Sequence, residues 1–312
     1  MVRLSRPAQE AIMNAEVLSH QRFDIYRTVT DSIIAAIEAG AGEFVMPWHG
    51  FGAPIAKPQN AHTRMEYHGI NVLALWAHAH EQGYQSGYWG TYRQWQEVGG
   101  QVVKGAKSSI IVFFKRIEEE PEQTGEKPFN RLFARASRVF NADQVAGWTP
   151  PEDRHPPGTA EVMESVATFV KATKADVHWG GRMACYHIID DYIELPNVGR
   201  FRDTPTSSAS EGLGATILHE LVHWAGAKHR LARFEGPVKK VDIAAEELVA
   251  ELGAAFLCAD LGVSNEPRPD HAAYVAHWLQ LLKNDARAIF TASRQANQAA
   301  MYLHELASVG EW

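Results

Sequence analysis

The chain has 312 residues, 46% hydrophobic and 21% charged, a globular balance with length for about two domains. The formal net charge is −7, and the deficit falls after residue 150: the first 150 residues carry 15 basic and 15 acidic side chains, the remainder 15 and 22, which argues against tight binding of duplex DNA by the first half and for two halves with different work. Two distant cysteines, Cys185 and Cys258, exclude a disulfide framework and a zinc site built on cysteines. The opening residues lack the apolar core of a signal peptide, and apolar runs such as SSIIVFF are too short to span a membrane, so a soluble cytoplasmic protein is expected.

Residues 15–40 place Phe23, Tyr26, Val29, Ile33, Ile34 and Ile37 at helical spacing, with Gly40 as a stop. FVMPWHGFGAP follows as a Pro- and Gly-rich loop, GINVLALWAHAHEQG as a helix ending at Gly83, and GTYRQWQEVGG as a short helix. SSIIVFFKRIE has the β-branched and aromatic content of a strand, residues 118–128 form an acidic turn, and NRLFARASRVFNADQV supplies the return strand. Aromatic and basic residues interleave in this half. Tyr88, Trp89, Tyr92, Trp95, Phe113 and Phe114 accompany Arg93, Lys104, Lys107, Lys115 and Arg116, with Arg131, Arg135 and Arg138 on the return strand. Stacking faces beside cations suit single-stranded nucleic acid.

Residues 147–159 hold four prolines and read as a linker between domains at 1–146 and 160–312. A helix follows in AEVMESVATFVKATKA, then a hairpin in ACYHIIDDYIELP turning at Asp190–Asp191. TSSASEGLGATILHELVHWAG reads as a helix capped by Ser208 with Glu211 three residues on and stopped at Gly226. VDIAAEELVAELGAAFLCADLG is a further helix, and the tail from 271 to 308 is helical.

The string His219-Glu220-Leu-Val-His223 puts two imidazoles one helical turn apart on one face, lining a cleft, with Glu220 beside them. Such a pair binds zinc (another divalent metal such as Mn2+ is open), and Glu220 is placed to take a proton from water. Catalytic zinc needs a third protein ligand and an open position. His229 fits the longer string HExxHxxGxxH, but the Met that should follow in a tight turn has only Met301 to supply it, in the helical-looking NQAAMYLHEL, which weighs against that string. The favoured alternative is Glu247, on an otherwise apolar helix where carboxylates need partners, with Glu251 one turn on accepting a ligand histidine's N–H; the neighbouring Glu246 stays open. The 184–195 hairpin is placed to hold an extended peptide by strand addition, with Tyr186 and Tyr192 either as oxyanion donors or simply packed.

MPWHG, RMEYHGINVLAL and GYWGTYRQWQEVGGQVVKGAKSSIIVFF, followed by YHIIDDYIELP, ILHELVHWAG and AAEELVAELGAAFLCADLG, together resemble the ArdC-type antirestriction proteins, which are related to the N-terminal part of TraC-type primases. The resemblance spans nearly the whole chain. It implies an α+β architecture in which an N-terminal single-stranded-DNA-binding domain precedes a mainly helical zincin-like metallopeptidase domain with a small sheet. It carries over His219, His223 and Glu247 as metal ligands and Glu220 as base, leaves His229 outside the pattern, and implies protection of incoming plasmid DNA from host restriction. DNA contacts are then expected at Tyr88, Trp89, Arg93, Trp95, Lys104, Lys107 and Lys115, and a protein substrate, such as a host restriction component, at the metal.

Overall fold

Val29, Ile33, Ile34 and Ile37 recur every three or four residues, and in the computed structural model they are buried along one side of α1 (Ile25–Gly40). The structure describes residues 24–40, 46–49, 55–119, 129–151, 158–204, 207–234, 243–264 and 272–309. The start of the first predicted helix, the tip of the acidic turn and the middle of the proline-rich linker lie outside the described residues.

α1 packs on α2 (Ile70–Gln82), whose Val72, Leu73, Leu75 and Trp76 are buried. β1 (Gln59–Asn60), β2 (Tyr88–Gly90), β4 (Ser109–Glu119) and β5 (Phe129–Asn141) form one sheet in the order β1-β2-β5-β4. Its long β4–β5 hairpin is antiparallel, and β1 runs parallel to β2. The short helix α3 (Tyr92–Glu97) opens with a reciprocal cap between Thr91 and Gln94, and β3 (Gln101–Val102) pairs with β6 (Val145–Ala146) behind it.

After the proline-rich stretch, α4 (Thr159–Thr173) precedes a sheet ordered β7-β9-β8 among the described residues, with β7 at Val177–Gly181, β8 at Cys185–His187 and β9 at Tyr192–Pro196. β8 and β9 form the expected antiparallel hairpin, while β7 joins β9 in parallel. Four helices follow among the described residues: α5 (Ala209–Ala225), α6 (Ile243–Leu261), α7 (Ala272–Asn284) and α8 (Ala288–Val309). The fold is α+β, with its long helices concentrated in the second half of the chain.

Most of the buried residues form one continuous cluster that draws on both halves of the chain, while Ala61, Trp95 and Val102 form a small second cluster. Ile33 of α1 and Trp76 of α2 belong with Leu221 of α5, Phe256 of α6 and Leu303 of α8, and the Trp76 and Phe256 rings lie 5.9 Å apart. α5 and α6 are apolar nearly all round, which is why both sit in the interior. Gly253 sets their crossing: a Cβ there would meet Val222 Cγ2 at 2.7 Å. That close approach brings the carboxylates of α6 within reach of the histidines of α5.

Candidate metal centre

Ser208 caps α5 as expected: its Oγ accepts from the Glu211 N–H at 3.3 Å, and the Glu211 carboxylate accepts from the Ser208 N–H at 2.9 Å. The helix carries His219 and Glu220, each 4% exposed, deep into the core. α6 packs against α5 on the side of His219, whose ring is buried beside Glu247 and Glu251. Access comes from the side of His223 and Glu247, which are half-buried.

Three side chains converge. His219 Nε2 and His223 Nε2 are 3.2 Å apart; Glu247 Oε2 lies 3.5 Å from the first, and its Oε1 lies 3.6 Å from the second. Ligand atoms about 2.1 Å from a tetrahedral zinc are about 3.4 Å from one another, so this donor set fits a divalent metal. Two imidazole nitrogens this close need a cation or a proton between them. Burial works against a charge on His223, but hydrogen bonds to Glu246 and Glu247 outweigh it and raise the pKa to about 10. Burial likewise pushes the Glu247 carboxyl up, yet both histidines hold it well below the usual carboxylate range. Without metal the centre is therefore an imidazolium–carboxylate cluster.

A further carboxylate stands behind each histidine. Glu246 Oε1 lies 3.1 Å from His223 Nδ1 and accepts from Arg233 Nη2 at 2.8 Å, while its Oε2 accepts from Arg233 Nε at 3.1 Å. Glu251 Oε2 lies 3.9 Å from His219 Nδ1, and its Oε1 accepts from Trp48 Nε1 at 3.1 Å. His49 Nε2 lies 2.8 Å from the same oxygen. Because His49 Nδ1 accepts the Met46 N–H at 3.0 Å, the His49 proton sits on Nε2 and points at Glu251. Trp48 and His49, read from sequence only as part of a loop, thus brace the centre from the first half of the chain. Arg233 went unread as well; nothing in its local sequence marks it.

His229 is exposed and faces Asp191 at 3.2 Å, away from the histidine pair. Arg230 pins that turn, with its guanidinium 3.8 Å over the Trp224 ring and paired with Asp191. Asp191 also accepts the Tyr186 hydroxyl at 2.7 Å, which commits Tyr186 within the same cluster.

The expected DNA contacts divide by burial. Trp89 and Trp95 are 1% and 0% exposed and offer no face to a base, which corrects that expectation: Trp95 packs edge-on against Trp148 and donates to the Phe140 carbonyl, and Trp89 packs on Tyr84 and His78. Arg93, Lys104, Lys107 and Lys115 are exposed, Arg93 being paired with Glu97 at 2.9 Å. Half-buried Tyr88 lies under Arg64. Among the described residues of the first half, Tyr92, Phe113 and Phe114 are the exposed large aromatics. Register sets Phe113 opposite Arg135 and two residues from Lys115, so these three share one face of the hairpin.

The fold and the buried histidine–glutamate centre define a two-part protein whose second part is a zincin-like domain: residues 164–295 match the family described as zincin-like metallopeptidase, and residues 23–140 match that described as the N-terminal domain of anti-restriction factor ArdC. The chain belongs to the ArdC antirestriction family. It is 42% identical to the metal-free crystal structure of antirestriction protein ArdC from the R388 plasmid (TM-score 0.77, covering 92% of this chain and 99% of that one). The Mn(II)-bound structure of the same plasmid's protein is 40% identical, with TM-score 0.73 and the same coverage. An uncharacterised Sinorhizobium fredii protein, y4eC, is 44% identical over 288 residues, 90% of this chain and 92% of its own length. DNA primase TraC of Escherichia coli is 32% identical over 295 residues, but that match spans only 26% of the primase. Among the described residues, no helix is long and apolar enough to cross a membrane.

Proposed function

We propose that this protein is a cytoplasmic antirestriction factor that binds single-stranded DNA through its first half and hydrolyses peptide bonds at a divalent metal centre in its second. The convergence of His219, His223 and Glu247 beside the buried Glu220 carries this reading. His219, His223 and Glu247 would hold the metal, zinc being the first choice and Mn2+ an alternative. When bound, it supplies Lewis acidity that acidifies water and polarises a carbonyl. Glu220 then takes the proton from the attacking water on a carboxylate oxygen and returns it to the leaving amine. Arg233–Glu246 and Trp48–His49–Glu251 hold the two imidazoles in place. The edge strand β8 orients an extended peptide beside them by strand addition. A host restriction component is the substrate class that the family role suggests. On the first half, Phe113 stacks a base while Lys115 and Arg135 take phosphates, with Tyr92, Lys104 and Lys107 extending the surface.

A second reading is that the metal is structural and DNA masking alone protects. The bracing of Glu251 by Trp48 and His49, which ties the centre into the joint core, favours it. Glu220→Gln separates the two. Retained metal and DNA affinity with loss of protection in a restricting host supports the peptidase, while full protection supports the structural metal. For the DNA surface, Phe113→Ala should weaken single-stranded binding by about 1–3 kcal/mol without loss of folding, and unchanged affinity rejects that surface.

A further inference from the structure

We propose that Cys185, His187 and Glu194 form a second metal site, for a thiophilic divalent ion such as zinc, on the outer face of the β7-β9-β8 sheet. The antiparallel register sets Cys185 opposite Glu194 and His187 opposite Tyr192, so all four side chains share that face. Cys185 Sγ is 3.3 Å from His187 Nε2, which is 3.8 Å from Glu194 Oε2, and the three donor atoms lie within 4.8 Å of one another. A tetrahedral zinc with bonds of about 2.3 Å to sulfur and about 2.1 Å to nitrogen or oxygen needs edges of about 3.4–3.6 Å, within a small side-chain adjustment of these.

The surroundings hold two of the three donors in place. His187 stacks on Tyr192 at 4.2 Å and 16°, and His178 stacks on Tyr192 at 4.4 Å and 22°. That pile sets the plane of the His187 ring. Gly181 opens the room for Glu194, since a Cβ there would come 2.4 Å from Glu194 Cγ. The donors are half-buried, which leaves a fourth position for water or an incoming group. Two cysteines cannot build a cysteine-rich zinc module, but one thiolate with an imidazole and a carboxylate makes a mixed site, and sulfur selects zinc, cobalt or cadmium over magnesium or manganese. This site has a thiolate where the His219–His223–Glu247 centre has none, so the two sites differ in spectrum and in metal preference. The inference stands whether or not the protein is a peptidase.

The test is a Co2+ titration of the metal-free protein followed by absorption. The expected result is a thiolate-to-cobalt charge-transfer band in the near ultraviolet, saturating at one equivalent in addition to the ion held by the histidine pair. Cys258→Ser should keep this band and Cys185→Ser should abolish it, while both keep the visible bands of the other centre. His187→Gln, which preserves bulk and leaves the thiol in place, should weaken the band's affinity at least tenfold, so the test does not hang on one variant's folding. No charge-transfer band near stoichiometric cobalt, or a band that survives Cys185→Ser, overturns the proposal.

Discussion

His49 lies 202 positions from Glu251, yet its ring holds the carboxylate behind His219, and replacing it tests whether the first half of the chain tunes the metal centre. His49→Phe keeps an aromatic ring of similar size and removes both nitrogens. Losing the 2.8 Å bond to a buried carboxylate costs about 1.5–3 kcal/mol, and orphaning the Met46 N–H adds about 1 kcal/mol. Together these predict a loss of about 2.5–4 kcal/mol in chemical denaturation of the metal-free protein. Glu251→Gln in the same background isolates the share that runs through the carboxylate. The double-mutant cycle should show a coupling of about 1.5–2 kcal/mol. Metal affinity should fall about 10–100-fold in His49→Phe, the usual cost of losing support behind a ligand. Additivity within about 0.5 kcal/mol, or an unchanged metal affinity, would refute the reasoning.

Gly253→Ala should gain up to about 1 kcal/mol in helix propensity but lose about 1–3 kcal/mol to the clash with Val222, and by parting α5 from α6 it should weaken metal binding; wild-type affinity measured by titration would contradict that. The His223 pKa of about 10 means that metal uptake at neutral pH releases a proton, so calorimetry in buffers of different ionisation heat should count about one per metal, with affinity tightening about tenfold per pH unit. Because that pKa is raised on folding, its contribution to the stability of the metal-free protein is complete below the ordinary histidine range and is lost as pH climbs through about 10. Asp260 joins Lys57 at 2.7 Å and His304 at 3.0 Å; burial pushes its carboxyl up, and these partners bring it below its ordinary value. Its contribution is therefore present above the ordinary aspartate pKa and lost as pH falls through the depressed one. Asp260→Asn should cost about 2–4 kcal/mol at neutral pH and much less under acid, and an equal loss at both would contradict this.

The legible parts of the sequence were those that repeat at short range. The cap at Ser208, the four-residue spacing of His219 and His223, and the carboxylates stranded on an apolar helix each lie within a few turns of a single helix, so helix geometry alone reveals each of them, though not the crossing at Gly253 that brings the two helices together. Even the uncertainty between Glu246 and Glu247 has a physical answer. Adjacent on α6, they reach different atoms: Glu247 the two Nε2 nitrogens, Glu246 the far side of His223. What lay hidden depends on distant packing. Nothing near MPWHG indicates that its Trp and His close on Glu251. Trp89 and Trp95 sit in a short strand and a single-turn-and-a-half helix, too short for periodicity to reveal which way they face. β7, in VHWGG, has no alternation and gains its strand character only from the parallel partner β9.

The most direct test of the central claim is Mn2+ binding to wild type, Glu247→Ala and His229→Ala, read from the spin-resonance signal of the free ion. Manganese is a poor thiolate metal, so Cys185 does not enter the count. The account predicts about one tightly held ion in wild type and His229→Ala and none in Glu247→Ala. Binding that survives in Glu247→Ala, or vanishes in His229→Ala, would contradict it.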